Sequence, residues 1–223
     1  MAPHTGEAGG ALPPAFVIAD LTPHHAAQAA ALHMAGQPGT FLSSLGPGVL
    51  TALYTALPAT RAGFGFAALD GDAARGFTAA TVGVGRLFLE IGTTRLGTLL
   101  PPLLAQLARR PALVARTAQT LLYPLLVRDS TSADDQAGSP SAELLAIMVE
   151  PAWRSRGVGA QLLARLLDEC RARDVRVLDV TVDATNDGAQ RFYIRHGFGD
   201  ARRFMLYGRP MLHLRRAVSP AGG

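Results

Sequence analysis

The chain has 223 residues, of which 48% are hydrophobic. This is enough for one domain with a substantial core, and it excludes a disordered protein. The net charge of +4 suits an anionic ligand but is too small to indicate a nucleic-acid partner. Cys170 is the only cysteine, which excludes an internal disulfide. With no signal-peptide pattern at the start, we expect a cytoplasmic protein. All 21 basic residues are arginine, a bias typical of a GC-rich, bacterial-like genome.

The N-terminal third predicts a tail followed by alternating strands and helices. Residues 1–14, rich in Gly, Pro and Ala, predict a disordered tail. Residues 15–19 predict a strand, and Thr22 is a good N-cap for a helix that runs to about Met34. A second helical stretch is interrupted at Gly46 and Pro47 and resumes over 49–57. Two apolar runs, 63–69 and 76–82, flank a turn-rich connection and predict a hairpin.

Residues 86–123 are leucine-rich and helical in pattern. Arginines interrupt every apolar stretch, so a membrane-spanning helix is not expected. The pattern favours two or three short amphipathic helices, broken at Gly97, at Pro101 and Pro102, and at Pro111. Such helices could cover a substrate, form a homodimer interface, lie on a membrane surface, or simply pack onto the core. The polar stretch 129–141 that follows predicts a mobile loop.

A phosphate-binding turn is the strongest signal in the chain. The apolar run 144–149 predicts a buried strand, and helical periodicity begins at Gln161. Between them, Gly157 and Gly159 allow close approach of the backbone to an anion, and the helix N-terminus presents unpaired N–H groups. Arg154 and Arg156 add positive charge to this turn.

Two motifs carry a resemblance to a known family. Arg154-x-x-Gly157-x-Gly159 resembles the acetyl-CoA signature of the GNAT superfamily of N-acetyltransferases. A later stretch from Asn186 to Phe198 resembles that superfamily's downstream motif. The resemblance implies an α/β (α+β) fold with a mixed, mostly antiparallel central sheet flanked by helices. It implies a single domain over 15–216, a tail over 217–223, and an insertion at 86–123 between strands 3 and 4.

The same resemblance implies which residues hold acetyl-CoA. Backbone groups of Ile147 and Val149 would pair with the pantetheine amides, because strand 4 would splay away from its parallel neighbour at 175–182. An N–H at Val149 could also stabilise the tetrahedral oxyanion. Asn186 would seat the pantetheine or act only as a helix cap. The diphosphate would be bound by the turn, at Arg154, Arg156, Gly157, Val158, Gly159 and Ala160.

Two residues are candidates for acid–base chemistry. Tyr193 matches the family's general acid, which protonates the departing thiolate; its alternative is a core ring with a polar tip. Glu143 stands fourteen positions before Gly157, where some family members carry a general base. Glu150 is the fallback for that base.

The expected function is direct acetyl transfer to a primary amine of a small molecule or peptide. The alternative is a non-catalytic, regulatory module that binds acetyl-CoA. The histidines show no metal-ligand spacing, so no metal is predicted.

Overall fold

The computed structural model describes residues 15–111, 140–206 and 208–219. Its strands are β1 (Val17–Asp20), β2 (Gly63–Asp70), β3 (Ala73–Thr81), β4 (Ser141–Val149), β5 (Val177–Asp183), β6 (Gly199–Leu206) and β7 (Arg209–Ala217). They form one seven-stranded sheet in the order β1-β2-β3-β4-β5-β7-β6. Only β4 and β5 run parallel among these strands, and the other neighbouring pairs are antiparallel. The predicted fold class is therefore confirmed.

Helices cover both faces of this sheet. Those in the described residues are α1 (Ala26–Gly36), α2 (Phe41–Ser44), α3 (Gly46–Ala56), α4 (Val84–Thr94), α5 (Leu96–Arg109), α6 (Val158–Ala172) and α7 (Asp187–Arg195). One buried cluster, the α6 core, joins Leu162, Leu163 and Leu166 of α6 to residues of β2, β4 and β5. Another, the α1 core, joins Ala30 and Tyr54 of α1 and α3 to residues of β3 and β4. Cys170 is buried in the α6 core, as predicted.

Strand β4 contributes to both cores because it contains a bulge. Ala79 pairs with Ala146 but Ala80 pairs with Leu144, so Leu145 has no Cα partner on β3. Before the bulge, Leu144 points into the α6 core, whereas after it Ala146 points into the α1 core. A bulge bends its strand and increases the local twist. The bend lies where β4 separates from β5.

The described part of the predicted insertion consists of α4 and α5. Helix α5 continues through Pro101 and Pro102, although these prolines were predicted to break it. Packing explains the difference, because apolar side chains spaced by four residues on α5 contact Leu45 and Val49, namely Leu99, Leu103 and Leu107. Four other leucines nearby are exposed: Leu89, Leu96, Leu100 and Leu104.

Residues 112–123 and 129–139, the remainder of the predicted insertion and loop, lie outside the described residues. Ser141, assigned to the loop from sequence, begins β4. No helix among the described residues is long and apolar enough to cross a membrane.

Candidate active site

A wedge opens between the C-terminal ends of β4 and β5. The two strands pair over residues 141–144 and 177–180, and the pairing stops after Leu144 and Val180. Beyond that point β4 keeps its pairing with β3 alone. The N–H of Glu150 donates to the Arg75 carbonyl on the β3 side. Because strand residues alternate in direction, the backbone groups of Val149 and Ile147 point into the wedge.

The turn after β4 places helix α6 at the mouth of this wedge. Gly157 is the N-cap residue and has a left-handed φ of 81°, a conformation that favours glycine. The first hydrogen bond of the helix runs from the Gln161 N–H to the Gly157 carbonyl. The preceding N–H groups, those of Val158, Gly159 and Ala160, have no hydrogen-bond acceptor among the described residues. They form a site for an anion at the positive end of the helix dipole.

Two arginines add charge to the turn. Arg154 is exposed, and its Nε donates to the Val149 carbonyl at 3.2 Å. The guanidinium of Arg156 lies 5.6 Å from the ring centroid of Trp153, which orients it over the buried indole. Neither arginine has a carboxylate within 4.0 Å in the described part of the chain. Glu150, the fallback base, is already paired with Arg75 at 3.1 Å.

Tyr193 lies on α7 on the same side of the sheet as α6. Its ring is 6% exposed and packs with Phe192 and Phe198 in the α6 core. That core also takes in the side chains of Ile147 and Val149, the two residues whose backbone groups point into the wedge. Burial raises the pKa of the Tyr193 hydroxyl, so the phenol stays protonated at neutral pH. No described residue accepts a hydrogen bond from it, which leaves the donor available.

Contacts of the two glycines differ. A Cβ on Gly159 would lie 3.4 Å from the Phe192 ring, whereas a Cβ on Gly157 would have no atom within 4 Å. Phe192 thus ties the first turn of α6 to the helix that carries Tyr193. Asn186 caps α7, because its side chain accepts the Ala189 N–H at 3.0 Å. This contact is the one expected if Asn186 acts as a helix cap.

Glu143 projects from the opposite face of the sheet, because its neighbours Ala142 and Leu144 point into the α6 core. It sits one residue before the wedge opens and is the register partner of Asp179 on β5. Burial and the Asp179 charge raise the pKa of Glu143 to about 7. Glu143 has no hydrogen bond or ion pair within the described residues.

Asp179 belongs to a charged cluster that the sequence analysis missed. Its carboxylate accepts from Arg215 Nε at 2.8 Å and lies 3.4 Å from His213 Nε2. Arg215 and His213 are on β7, so the cluster spans three adjacent strands beside Glu143. An aspartate among the valines of a predicted strand was a visible signal. Its partners could not be named without the strand register.

Thus the structure brings Ile147, Val149 and the 154–160 turn together at the wedge, with Tyr193 on the α6 side. Glu143 lies on the other face of β4, and Asn186 lies at the start of α7. Buried Cys170, whose burial raises the thiol pKa to about 12, is no candidate nucleophile.

Comparison with solved structures identifies the fold. A putative acetyltransferase of the GNAT family from Desulfovibrio desulfuricans superposes with a TM-score of 0.58 at 15% identity, over 92% of this chain and 100% of that one. The ribosomal-protein-S18-alanine N-acetyltransferase of Escherichia coli gives 0.55 at 17%, over 93% and 97%. Arabidopsis thaliana NAA60, solved in complex with acetyl-CoA, gives 0.58 at 14%, over 92% and 99%.

Sequence comparison finds family matches over part of the chain. Residues 126–198 match the model of the Acetyltransferase (GNAT) family. An uncharacterized N-acetyltransferase of Methanocaldococcus jannaschii is 37% identical over 57 residues, which are 26% of this chain and 25% of that protein. The matched region thus spans about a quarter of the curated relative. Residues 126–198 therefore carry the match to the GNAT family, and the described chain has the fold of solved GNAT acetyltransferases.

Proposed function

We propose that the protein is an acetyl-CoA-dependent N-acetyltransferase that transfers the acetyl group directly to a primary amine. The observation that carries the proposal is the wedge between β4 and β5 beside three N–H groups that find no acceptor within the described residues. An extended pantetheine arm would pair with the backbone of Ile147 and Val149 as an added strand does. The diphosphate would meet the first turn of α6, and Arg154 and Arg156 would supply the countercharge.

Glu143 and Tyr193 fit the acid–base roles of this reaction. Glu143, acting directly or through a water, would take the proton of the acceptor's ammonium. The free amine would then attack the thioester carbonyl, forming the N–C bond. Collapse of the tetrahedral intermediate would break the C–S bond, and the Tyr193 hydroxyl would protonate the thiolate. The proton that the attacking nitrogen loses as it becomes an amide would return through solvent to Tyr193. Glu143 faces one side of the sheet, and Tyr193 packs in the α6 core on the other side, which would let acceptor and donor approach from different sides.

Calorimetry with acetyl-CoA tests binding, and release of free CoA thiol in the presence of an amine and peptide library tests turnover. Tyr193→Phe removes a single oxygen, so we expect unchanged acetyl-CoA affinity and a fall in kcat of about 100-fold. Tyr54→Phe is the matched control, because Tyr54 lies in the α1 core. Equal kcat in wild type and Tyr193→Phe would contradict the general-acid role.

Binding and turnover also separate the two candidate functions. Absence of saturable acetyl-CoA binding would contradict the whole proposal. Saturable binding without turnover on any acceptor would favour the regulatory module.

A further inference from the structure

A recess lies on the α6 side of the sheet and extends from the first turn of α6 towards the C-terminal end of that helix. Its volume is about 250 Å³, and α6 forms one wall through Leu163 and Leu167. Its polar lining consists of Asp168 and Arg171 from α6, His196 from the end of α7, and Arg216 from β7. We call this cavity the Arg216 recess. The side chains assigned to acetyl transfer, Tyr193 and Glu143, do not line it.

Arg216 has an unusual electrostatic position. Five arginines among the described residues are half-buried: Arg75, Arg165, Arg171, Arg215 and Arg216. Each of the first four has a carboxylate within 4.0 Å. Arg216 has none in the described part of the chain, and its one hydrogen bond runs from Nη1 to the His196 carbonyl at 2.5 Å. Buried charges are ordinarily paired, so the guanidinium of Arg216 is available to bind an anion that enters the recess.

The neighbouring groups increase the positive charge of the recess. Arg171 is paired with Asp168 at 2.6 Å, and its Nε donates to the Ser219 carbonyl. Even so, burial and the Arg171 charge together lower the pKa of Arg216. The recess is therefore lined by two guanidinium groups and one carboxylate, and that carboxylate is paired with Arg171. The His196 Nδ1 donates to the Phe192 carbonyl at 2.7 Å, which fixes the ring at the edge of the recess.

We propose that the Arg216 recess binds a phosphate-type oxyanion, held by the guanidinium of Arg216 with Arg171 beside it. Guanidinium forks match the oxygen spacing of phosphate, and charge-assisted hydrogen bonds are about twice as strong as neutral ones. The occupant is a free phosphate or phosphomonoester, or the 3′-phosphate of CoA. The second source rests on the proposed function, because Ala160 of the diphosphate-binding turn also lines the recess.

Titration of the intact protein with inorganic phosphate, at constant ionic strength and followed by calorimetry, tests the site. We expect saturable binding with a dissociation constant of about 1 mM. Arg216→Gln should weaken it at least about tenfold. Arg176→Gln, which removes the same charge from an exposed position at the start of β5, should leave it unchanged. Ala164 is an exposed residue of α6 that lines the recess. Ala164→Phe fills the recess but keeps every arginine, so it should also weaken phosphate binding. This variant keeps the proposal testable if Arg216→Gln does not fold.

A second pair of titrations identifies the source of the phosphate. CoA and dephospho-CoA differ only in the 3′-phosphate. Tighter binding of CoA, abolished by Arg216→Gln and competed by phosphate, would assign the recess to CoA. Equal affinity for both, with phosphate binding unaffected by either, would assign a separate ligand.

Two results would overturn the proposal. One is an absence of saturable phosphate binding, and the other is equal phosphate affinity in wild type, Arg216→Gln and Ala164→Phe. A protein that binds phosphate but neither CoA form would contradict the acetyl-CoA proposal and leave this one standing.

Discussion

Glu143 and Asp179 are carboxylates on neighbouring parallel strands, and only Asp179 has positively charged side chains as partners in the described residues. Asp179 has Arg215 and His213 beside it, whereas Glu143 has no partner among the described residues. Thr81 of β3, which is opposite Glu143, is uncharged. Burial, and after it the charge of Asp179, raises the pKa of Glu143 to about 7, close to the pH of a cell. A base with such a pKa is well matched to proton transfer near neutral pH.

This arrangement predicts how activity depends on pH. If Glu143 is the base, kcat/KM should rise with pH through a midpoint near 7. Asp179→Asn removes the neighbouring charge and should move that midpoint to lower pH. Asp70→Asn, which alters an ion-paired carboxylate on β2, is the control. Carbon-13 NMR titration of the Glu143 carboxyl, assigned with Glu143→Gln, measures the same shift without an acceptor. Identical Glu143 midpoints in wild type and Asp179→Asn would contradict the coupling.

His33 predicts a dependence of stability on pH. Its ring is 1% exposed, and its Nδ1 lies 2.6 Å from the Tyr54 hydroxyl. Burial lowers the pKa of His33 from 6.5 to about 4. Between these two pKa values the unfolded chain binds a proton at His33 that the folded chain does not bind. The free energy of unfolding therefore decreases as the pH falls from 6.5 towards 4. Urea denaturation should show wild type losing about 3 kcal/mol more than His33→Leu over this window. Parallel losses in the two proteins would contradict it.

At the scale of elements, α6 depends on the turn that starts it. Gly157→Ala places a Cβ on a left-handed residue, at a cost of about 1–2 kcal/mol, and shifts the N–H groups of the first turn. We expect lower thermal stability and at least about tenfold weaker acetyl-CoA binding. Gly159→Ala is the comparison, because that residue has no left-handed φ and the family signature accepts alanine there. Equal affinity in the two variants would mean that the left-handed turn does not govern binding.

Local sequence signals predicted which helices and strands exist better than they predicted the residues at which these elements begin and end. Helix α6 was predicted from Gln161 but begins at Val158. Val158 is buried and lies four residues before Leu162, which lies four before Leu166. The helical spacing of apolar residues in the sequence therefore already included Val158. Helix α5 was misjudged because proline is a local signal and the contacts that stabilise α5 are with α3. The turn at 154–160 was found from sequence because its glycines, arginines and helix start lie within seven residues.

At the scale of the whole molecule, long-range pairing was beyond the sequence. The bulge at Leu145 decides that Glu143 and Ile147 face opposite sides of the sheet, although their even spacing of four residues alone would place them on one side. The Asp179 cluster likewise depends on the register of β4, β5 and β7. Sequence resemblance supplied the fold class, but the geometry around Glu143 required the folded structure.

The short contact between β4 and β5 divides the sheet into a four-strand and a three-strand block, joined by only four residue pairs. Acetyl-CoA in the wedge would add backbone bonds across this boundary. We therefore expect deuterium uptake by β5 and β7 amides to slow when acetyl-CoA is added, while β1 and β2 change little; equal uptake with and without it would exclude such bridging. Since a ligand stabilises the state that binds it, resistance of the protein to proteolysis would then rise and fall with the cell's supply of acetyl-CoA.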